Sequence, residues 1–337
     1  MNRFKLFDKV YAKSTCRQYR RDVEKFLRWS TLSDKQVRAL ADPRRGDIVT
    51  LDELLCQFIH QLFEQGGRSG KFFGAASNTV YGLIGLVCPR AKDRLTLSSR
   101  ALRGWARHKN PRKHRRPPLL RPAVFALSEW LWQEGMIPEG VAILCAFGAY
   151  LRISEVVHLK MRHVLLQNTM GEDASMRGFR IKRAKTGDEQ FAPIHDPQIA
   201  RVLRRYVKFR EKTAGVGATA NEVLFPVTAK RLRQALEQAL EALDIKIPGL
   251  VFHSLRHGAA TQDTLDGLPL EEVMARGRWA SSKSAKIYIK QTKALAMKTV
   301  LPRRVVERGS SLHAGNSLFS IFRGAARASE RSLENAS

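Results

Sequence analysis

Apolar side chains recur every three to four residues through the first hundred positions, the period of a helix with one buried face. In STCRQYRRDVEKFLRWS, Tyr19, Val23, Phe26 and Leu27 share such a face. Ser14 or Thr15 stands where a cap is needed. LDELLCQFIHQLF follows, with Thr50 as cap, and then SNTVYGLIGLVC and LSSRALRGWARH. No strand-like alternation interrupts them, so residues 1–108 are predicted to form a small helical domain. Residues 122–308 read as a mixed domain. AVFALSEWLWQEG and GVAILCAFGAYLRISEVVHL are helical. GFRIKRAKTGDEQFAPIH alternates Phe179 and Ile181 with basic residues, turns at Thr186-Gly187-Asp188 and resumes through Phe191 and Ile194. That is the pattern of a hairpin. Helices return in PQIARVLRRYVKF, AKRLRQALEQALEAL, LRHGAATQDTLDG and LEEVMARGR. Residues 309–337 are rich in Ser, Ala and Gly and poor in large apolar groups, which predicts a disordered tail. The fold class is therefore mainly α with a small antiparallel sheet, and no internal repeat is visible.

Between the two domains the character changes. RHKNPRKHRRPPLLR (107–121) carries seven Lys or Arg, three prolines and no acid. Proline disfavours helix, and an unbroken run of like charge repels itself, so residues 109–121 are expected to be a basic linker. Arg112, Lys113, Arg115 and Arg116 are its candidate contacts to a phosphate backbone; the plain alternative is a solvated loop. The whole chain leans the same way. It has 59 Lys and Arg against 31 Asp and Glu in 337 residues, a net charge of +28. Such a field attracts polyanions, of which nucleic acid is the commonest large one. An anionic membrane is the weaker reading, because there is no long apolar span and no lipidation signal. The start MNRFKLFDKV lacks the apolar core of a secretory signal. Cys16, Cys56, Cys88 and Cys145 lie far apart, without CxxC or metal spacing, and read as reduced thiols in an intracellular, DNA-associated protein that binds no metal.

Cleaving a phosphodiester with a protein nucleophile needs a group that can form the covalent link, cations on the non-bridging oxygens and groups that move protons. Four clusters offer such parts. Arg152 lies among apolar residues, where an unpaired guanidinium is costly, and Glu155 three residues on shares its helical face if the helix continues. Lys185 stands at the hairpin turn, where a lysine can reach into a cleft. His253 and Arg256 are three apart on one helical face, a proton carrier beside a phosphate clamp, with His257 next to them. Trp279 and Tyr288 lie in GRWASSKSAKIYIK, with Lys286 and Lys290 flanking the tyrosine and favouring its phenolate. Taken singly, each cluster has an ordinary structural reading: a surface ion pair, a solvated turn, a capped helix, a half-buried aromatic.

Together, the order Arg-x-x-Glu, Lys in a hairpin, His-x-x-Arg-His, Gly-Arg-Trp, Tyr resembles the catalytic domain of the tyrosine recombinases, the phage integrase family. Trp279 follows Arg256 by 23 residues and Tyr288 follows Trp279 by nine, as in that family. Thr15-Cys16-Arg17-Gln18-Tyr19, with Asp22 and Phe26, is similar to the first helix of the family's core-binding domain. The resemblance covers about residues 10–295. It implies a SAM-like core-binding domain and an α+β catalytic domain, closed as a C-shaped clamp around double-stranded DNA. It further implies a 3′-phosphotyrosine on Tyr288, a phosphate clamp of Arg152 and Arg256, Lys185 as proton donor to the leaving oxygen, and His253 assisting. Glu155 and His257 would support them. No metal or other cofactor is needed, and a homo-tetramer on DNA is expected. Trp279 stands where most members have histidine; its indole N–H can donate to phosphate, but the ring cannot take up and pass on a proton at neutral pH. A DNA-binding descendant without catalysis and a type IB topoisomerase are the competing readings.

Overall fold

The computed structural model describes residues 11–108, 116–166, 177–184, 187–213, 220–289 and 300–334. The chain divides into two compact units, Met1–Lys113 and His114–Ser337, each with its own apolar core.

The first unit is helical: α1 (Lys13–Ser30), α2 (Asp34–Leu40), α3 (Ile48–Gly66), α4 (Phe73–Gly82) and α5 (Thr96–His108). α1 buries Cys16, Val23 and Phe26 on one face, and the core adds Leu51, Leu55, Phe58, Ile59, Val80 and Trp105. Two buried carboxylates tie the helices together. Asp22 accepts from Asn78 on α4 at 2.9 Å, and Asp52 on α3 accepts from the N–H groups of Leu97 and Ser98 at 2.7 and 2.9 Å, closing the first turn of α5. The caps differ from those the sequence offered. α1 has no side-chain cap, and α3 begins earlier, with Asp47 accepting from the Thr50 N–H at 3.1 Å.

The second unit packs α6 (Arg121–Gln133), α7 (Ile137–Gly148), α9 (Pro197–Thr213), α10 (Ala229–Ala242) and α11 (His253–Leu265) around a common core. α7 is apolar around its circumference and almost entirely buried, as a central helix must be. The helix predicted to run on from α7 does not. It stops at Gly148, and a short α8 (Ile153–Val156) follows a break in which Tyr150 takes a positive φ of 52°. Three antiparallel strands, β1 (Val164–Leu166), β2 (Arg177–Ala184) and β3 (Gly187–Pro193), form one sheet in that order. β1 was not anticipated, and Gly187 and Asp188 lie in β3 rather than in the turn. Phe179 pairs with Ala192 and both are buried. Phe191 and Ile194, three apart, must face opposite ways on a period of two; Ile194 is buried and Phe191 is 36% exposed. α12 (Leu270–Gly277) and α13 (Ser282–Tyr288) complete the part that carries the site. Gly258 on α11 lets the chain at Leu119 approach, since a Cβ there would overlap the Leu119 carbonyl, and the Leu119 N–H donates to Ser254 O at 3.0 Å.

The expected disordered tail is instead helical: α14 (Arg303–Ala314) and α15 (Leu318–Glu334). Leu318, Phe322 and Ala326 recur at helical spacing and are fully buried. Phe322 meets the Trp132 ring of α6 at 5.0 Å, Arg205 of α9 pairs with Glu330 at 2.6 Å, and Arg308 pairs with Glu129 at 2.8 Å. The small residues that made the segment look low in structure are what let it lie close. Among the described residues no helix is long and apolar enough to cross a membrane.

Candidate active site

α11 opens with His253 and carries Arg256 and His257 in its first turn and a half. Arg256 is fully buried. A guanidinium at such depth must spend its donors on the protein, and Arg256 gives Nη1 to the carbonyl of Tyr150 and Nη2 to that of Gly277. Its Cζ lies 4.8 Å from the Trp279 ring, a cation–π contact in a desolvated place.

Tyr288, the last residue of α13, comes to the same place. Its ring stacks on His257 at 4.5 Å, meets Trp279 at 4.6 Å and His253 edge-on at 5.4 Å, and lies 5.6 Å from the Arg256 Cζ. The Thr261 hydroxyl donates to the Tyr288 carbonyl at 3.2 Å, so α11 anchors the tyrosine's backbone as well as surrounding its ring. Of the six tyrosines, Tyr150 is also close, its ring 5.9 Å from Trp279. Its hydroxyl donates to the buried Asp263, and burial, with the Asp263 charge, holds its pKa far above the ordinary phenol value. That leaves Tyr288, half-buried, as the phenol of the cluster.

Arg152 sits just before α8, not within a continuous helix. Glu155 therefore reaches it through the start of the helix: the Arg152 N–H donates to Oε2 at 2.8 Å and Nη1 to Oε1 at 2.6 Å. Arg152 keeps 21% of its side chain exposed. A third guanidinium, Arg278, was passed over in the sequence. It follows α12 in the left-handed region (φ 54°) and donates to Glu155 Oε2 at 2.8 Å and to the carbonyls of Ala149 and Tyr150 at 3.3 and 3.4 Å. The Tyr150 carbonyl, displayed by the break after α7, thus serves both Arg256 and Arg278. Nothing in the residue types signals this, because the acceptor is main chain.

Desolvation, and after it the charges of Arg152 and Arg278, push the Arg256 pKa below the ordinary guanidinium value. Desolvation also lowers that of Arg278, and Glu155 opposes it. The guanidinium group nevertheless stays protonated at neutral pH. Arg152 and Arg278 thus share the Glu155 carboxylate, with the Arg256 charge beside them, an excess that a phosphate would balance. Arg152 and His253 also line a recess of about 290 Å³ with Arg116, Arg233, Leu236 and Phe252. Arg152, Glu155, His253, Arg256, His257, Trp279 and Tyr288 therefore gather in the second unit. Lys185 and the linker residues Arg112, Lys113 and Arg115 lie outside the described residues.

The family model described as the phage integrase family matches residues 106–294. Among solved structures, the chain is similar to the XerA recombinase, at 14% identity over 85% of this chain and 98% of that one, with a TM-score of 0.42. It is similar to a lambda integrase dimer bound to a COC′ core site, at 15% identity over 71% and 80% of the two chains, with a TM-score of 0.48. The Tn1549 transposon integrase in complex with circular intermediate DNA gives 15% identity over 85% and 98%, with a TM-score of 0.49. No curated protein matches the chain.

Proposed function

The chain belongs to the phage integrase family, and from that premise we propose that it is a site-specific DNA recombinase that cuts and rejoins strands through a 3′-phosphotyrosine on Tyr288. The observation that carries the proposal is the gathering of Tyr288, His253, His257, Trp279 and the Arg256 guanidinium around one point. Spacing in the sequence did not require these residues to meet.

In this reading the Tyr288 oxygen forms a bond to phosphorus, and the bond from phosphorus to the 5′-oxygen breaks. The phenolic proton leaves with the assistance of His253, whose ring lies 5.4 Å from that of Tyr288, and the leaving 5′-oxygen takes up a proton, the task assigned to Lys185. Arg152 and Arg256 hold the non-bridging oxygens, whose charge grows in the transition state. Arg256, buried with its Nη atoms on the Tyr150 and Gly277 carbonyls, adds its charge from beside the Trp279 and Tyr288 rings, while Arg152, the more exposed of the two, is the one that can reach the oxygens directly. Trp279 offers an indole N–H to the phosphate where most of the family has imidazole. One phosphodiester replaces another, so the bond energy is kept, and attack by a different 5′-hydroxyl runs the step backwards onto a new partner. Exchange between two duplexes breaks four strands and so calls for four phenols, hence a tetramer on double-stranded DNA. The basic linker, with Arg112, Lys113, Arg115 and Arg116, supplies contacts to the phosphate backbone.

The test is a pool of nicked duplexes with randomised flanks, in which cleavage near the nick releases a short strand and traps the covalent adduct. The wild-type protein is expected to yield a protein–DNA adduct that survives denaturation, and Tyr288→Phe is expected to yield none. Binding without adduct from any member of the pool would reject the enzyme reading in favour of a binding protein. Strand transfer between two selected duplexes, rather than relaxation of supercoils alone, separates a recombinase from a topoisomerase.

A further inference from the structure

Arg278 has no task in the reaction as set out above, yet it is the most elaborately held side chain near it. The side chain is 4% exposed and spends its bonds on Glu155 and on two backbone carbonyls of the break after α7. It adopts a left-handed conformation that costs a residue with a Cβ about 1 kcal/mol. Its two neighbours depend on that conformation. Gly277 has Trp279 folded back against it so closely that a Cβ would overlap the indole. The Gly277 carbonyl holds Arg256, and the Trp279 ring lies against both Arg256 and Tyr288.

The carboxylate of Glu155 gives the reason for a third cation. Oε1 receives Arg152 Nη1, and Oε2 receives both the Arg152 N–H and Arg278 Nη2. Without Arg278, the second oxygen would be open to the Arg152 guanidinium, and a carboxylate and a guanidinium readily close as a two-bonded pair. The pair would be neutral and turned away from the substrate. We propose that Arg278 is a positioning residue for strand cleavage: by occupying the second oxygen of Glu155 and the Tyr150 carbonyl, it holds Arg152 to a single side-chain bond with that carboxylate and shares its charge, so that the rest of the Arg152 guanidinium stays directed at the scissile phosphate. The assignment rests on the recombinase reading. Arg278 is buried and acts through Arg152, so its effect is on the charge of the phosphate and not on affinity for the duplex.

The experiment compares Arg278→Gly and Arg278→Lys with the wild type in single-turnover adduct formation, on a duplex selected from the nicked pool. The duplex is made with an ordinary scissile phosphate and, separately, with a methylphosphonate there, which removes the negative charge. Glycine suits the left-handed backbone, so Arg278→Gly removes the guanidinium without adding strain. It is expected to slow the ordinary substrate by about 10²-fold, the scale of losing one preorganised charge contact. On the methylphosphonate, where there is no charge to balance, the same variant is expected to lose less than about tenfold. Arg278→Lys, which can still donate to Glu155, is expected to recover part of the rate on the ordinary substrate. An equal loss on both substrates, the signature of a merely structural role, would overturn the proposal, and so would an undiminished rate on the ordinary phosphate. Should the glycine variant fail to fold, Arg278→Asn, which also tolerates the left-handed backbone and carries no charge, takes its place in the same comparison. A wild-type protein that forms no adduct at all would overturn the recombinase reading first and this assignment with it, a failure distinguished by the parallel wild-type reaction.

Discussion

At the scale of the residue, what sets the site is the contrast between side chains the sequence declares and acceptors it conceals. Arg256, Trp279 and Tyr288 could be picked out by type and spacing. The Tyr150 and Gly277 carbonyls could not, because they depend on a chain break and on the geometry after α12. Those carbonyls fix the identity of residue 256. Lysine lacks the planar fork that gives a separate nitrogen to each carbonyl, and it cannot lie as a plane over the Trp279 ring. Arg256→Lys is therefore expected to slow adduct formation at least 10²-fold and to destabilise the second unit by about 1–3 kcal/mol, the cost of leaving a buried acceptor unpaired. Single-turnover kinetics and thermal melting check the two parts; a melting point equal to that of the wild type would mean that the carbonyls do not need the guanidinium.

At the scale of the element, helices with one apolar stripe were legible and their ends were not. The periodicity of Tyr19, Val23 and Phe26 marked α1, but its cap was misplaced, and α7 was read through the break at Tyr150 because Leu151 and Val156 continue the apolar run. Strand β1, three residues long, is too short to declare a period. The tail is the instructive miss. Leu318, Phe322 and Ala326 do repeat every four residues, but Ala, Ser and Gly between them lowered the mean apolar content. Only the partners, Trp132 on α6 and Arg205 on α9, make the stripe worth burying. Phe322→Ala is expected to destabilise the second unit by about 3–5 kcal/mol, the range for emptying a buried phenylalanine site. Chemical denaturation followed by circular dichroism measures it, and a change below about 0.5 kcal/mol would show that α15 adds nothing to the fold.

At the scale of the whole molecule, a net charge of +28 dominates behaviour toward polyanions. Each phosphate neutralised releases counterions, so affinity falls with salt on a logarithmic plot, with a slope of about −0.9 per contact. A slope steeper than about −5 for a short duplex is expected from fluorescence anisotropy between 50 and 300 mM salt. A slope near zero would remove charge as the basis of binding. The chain divides between Lys113 and His114, and Arg112, Lys113 and Arg115 of the expected basic linker lie outside the described residues. Lys185 does too.

The single carboxylate among Arg152, Arg256 and Arg278 has one more consequence. Like charges held together without enough counter-charge repel one another, and the surrounding helices must absorb that repulsion. On the recombinase reading, a DNA phosphate bound there would offset the repulsion, so DNA binding and the firmness of α8, α11 and α12 are expected to rise together.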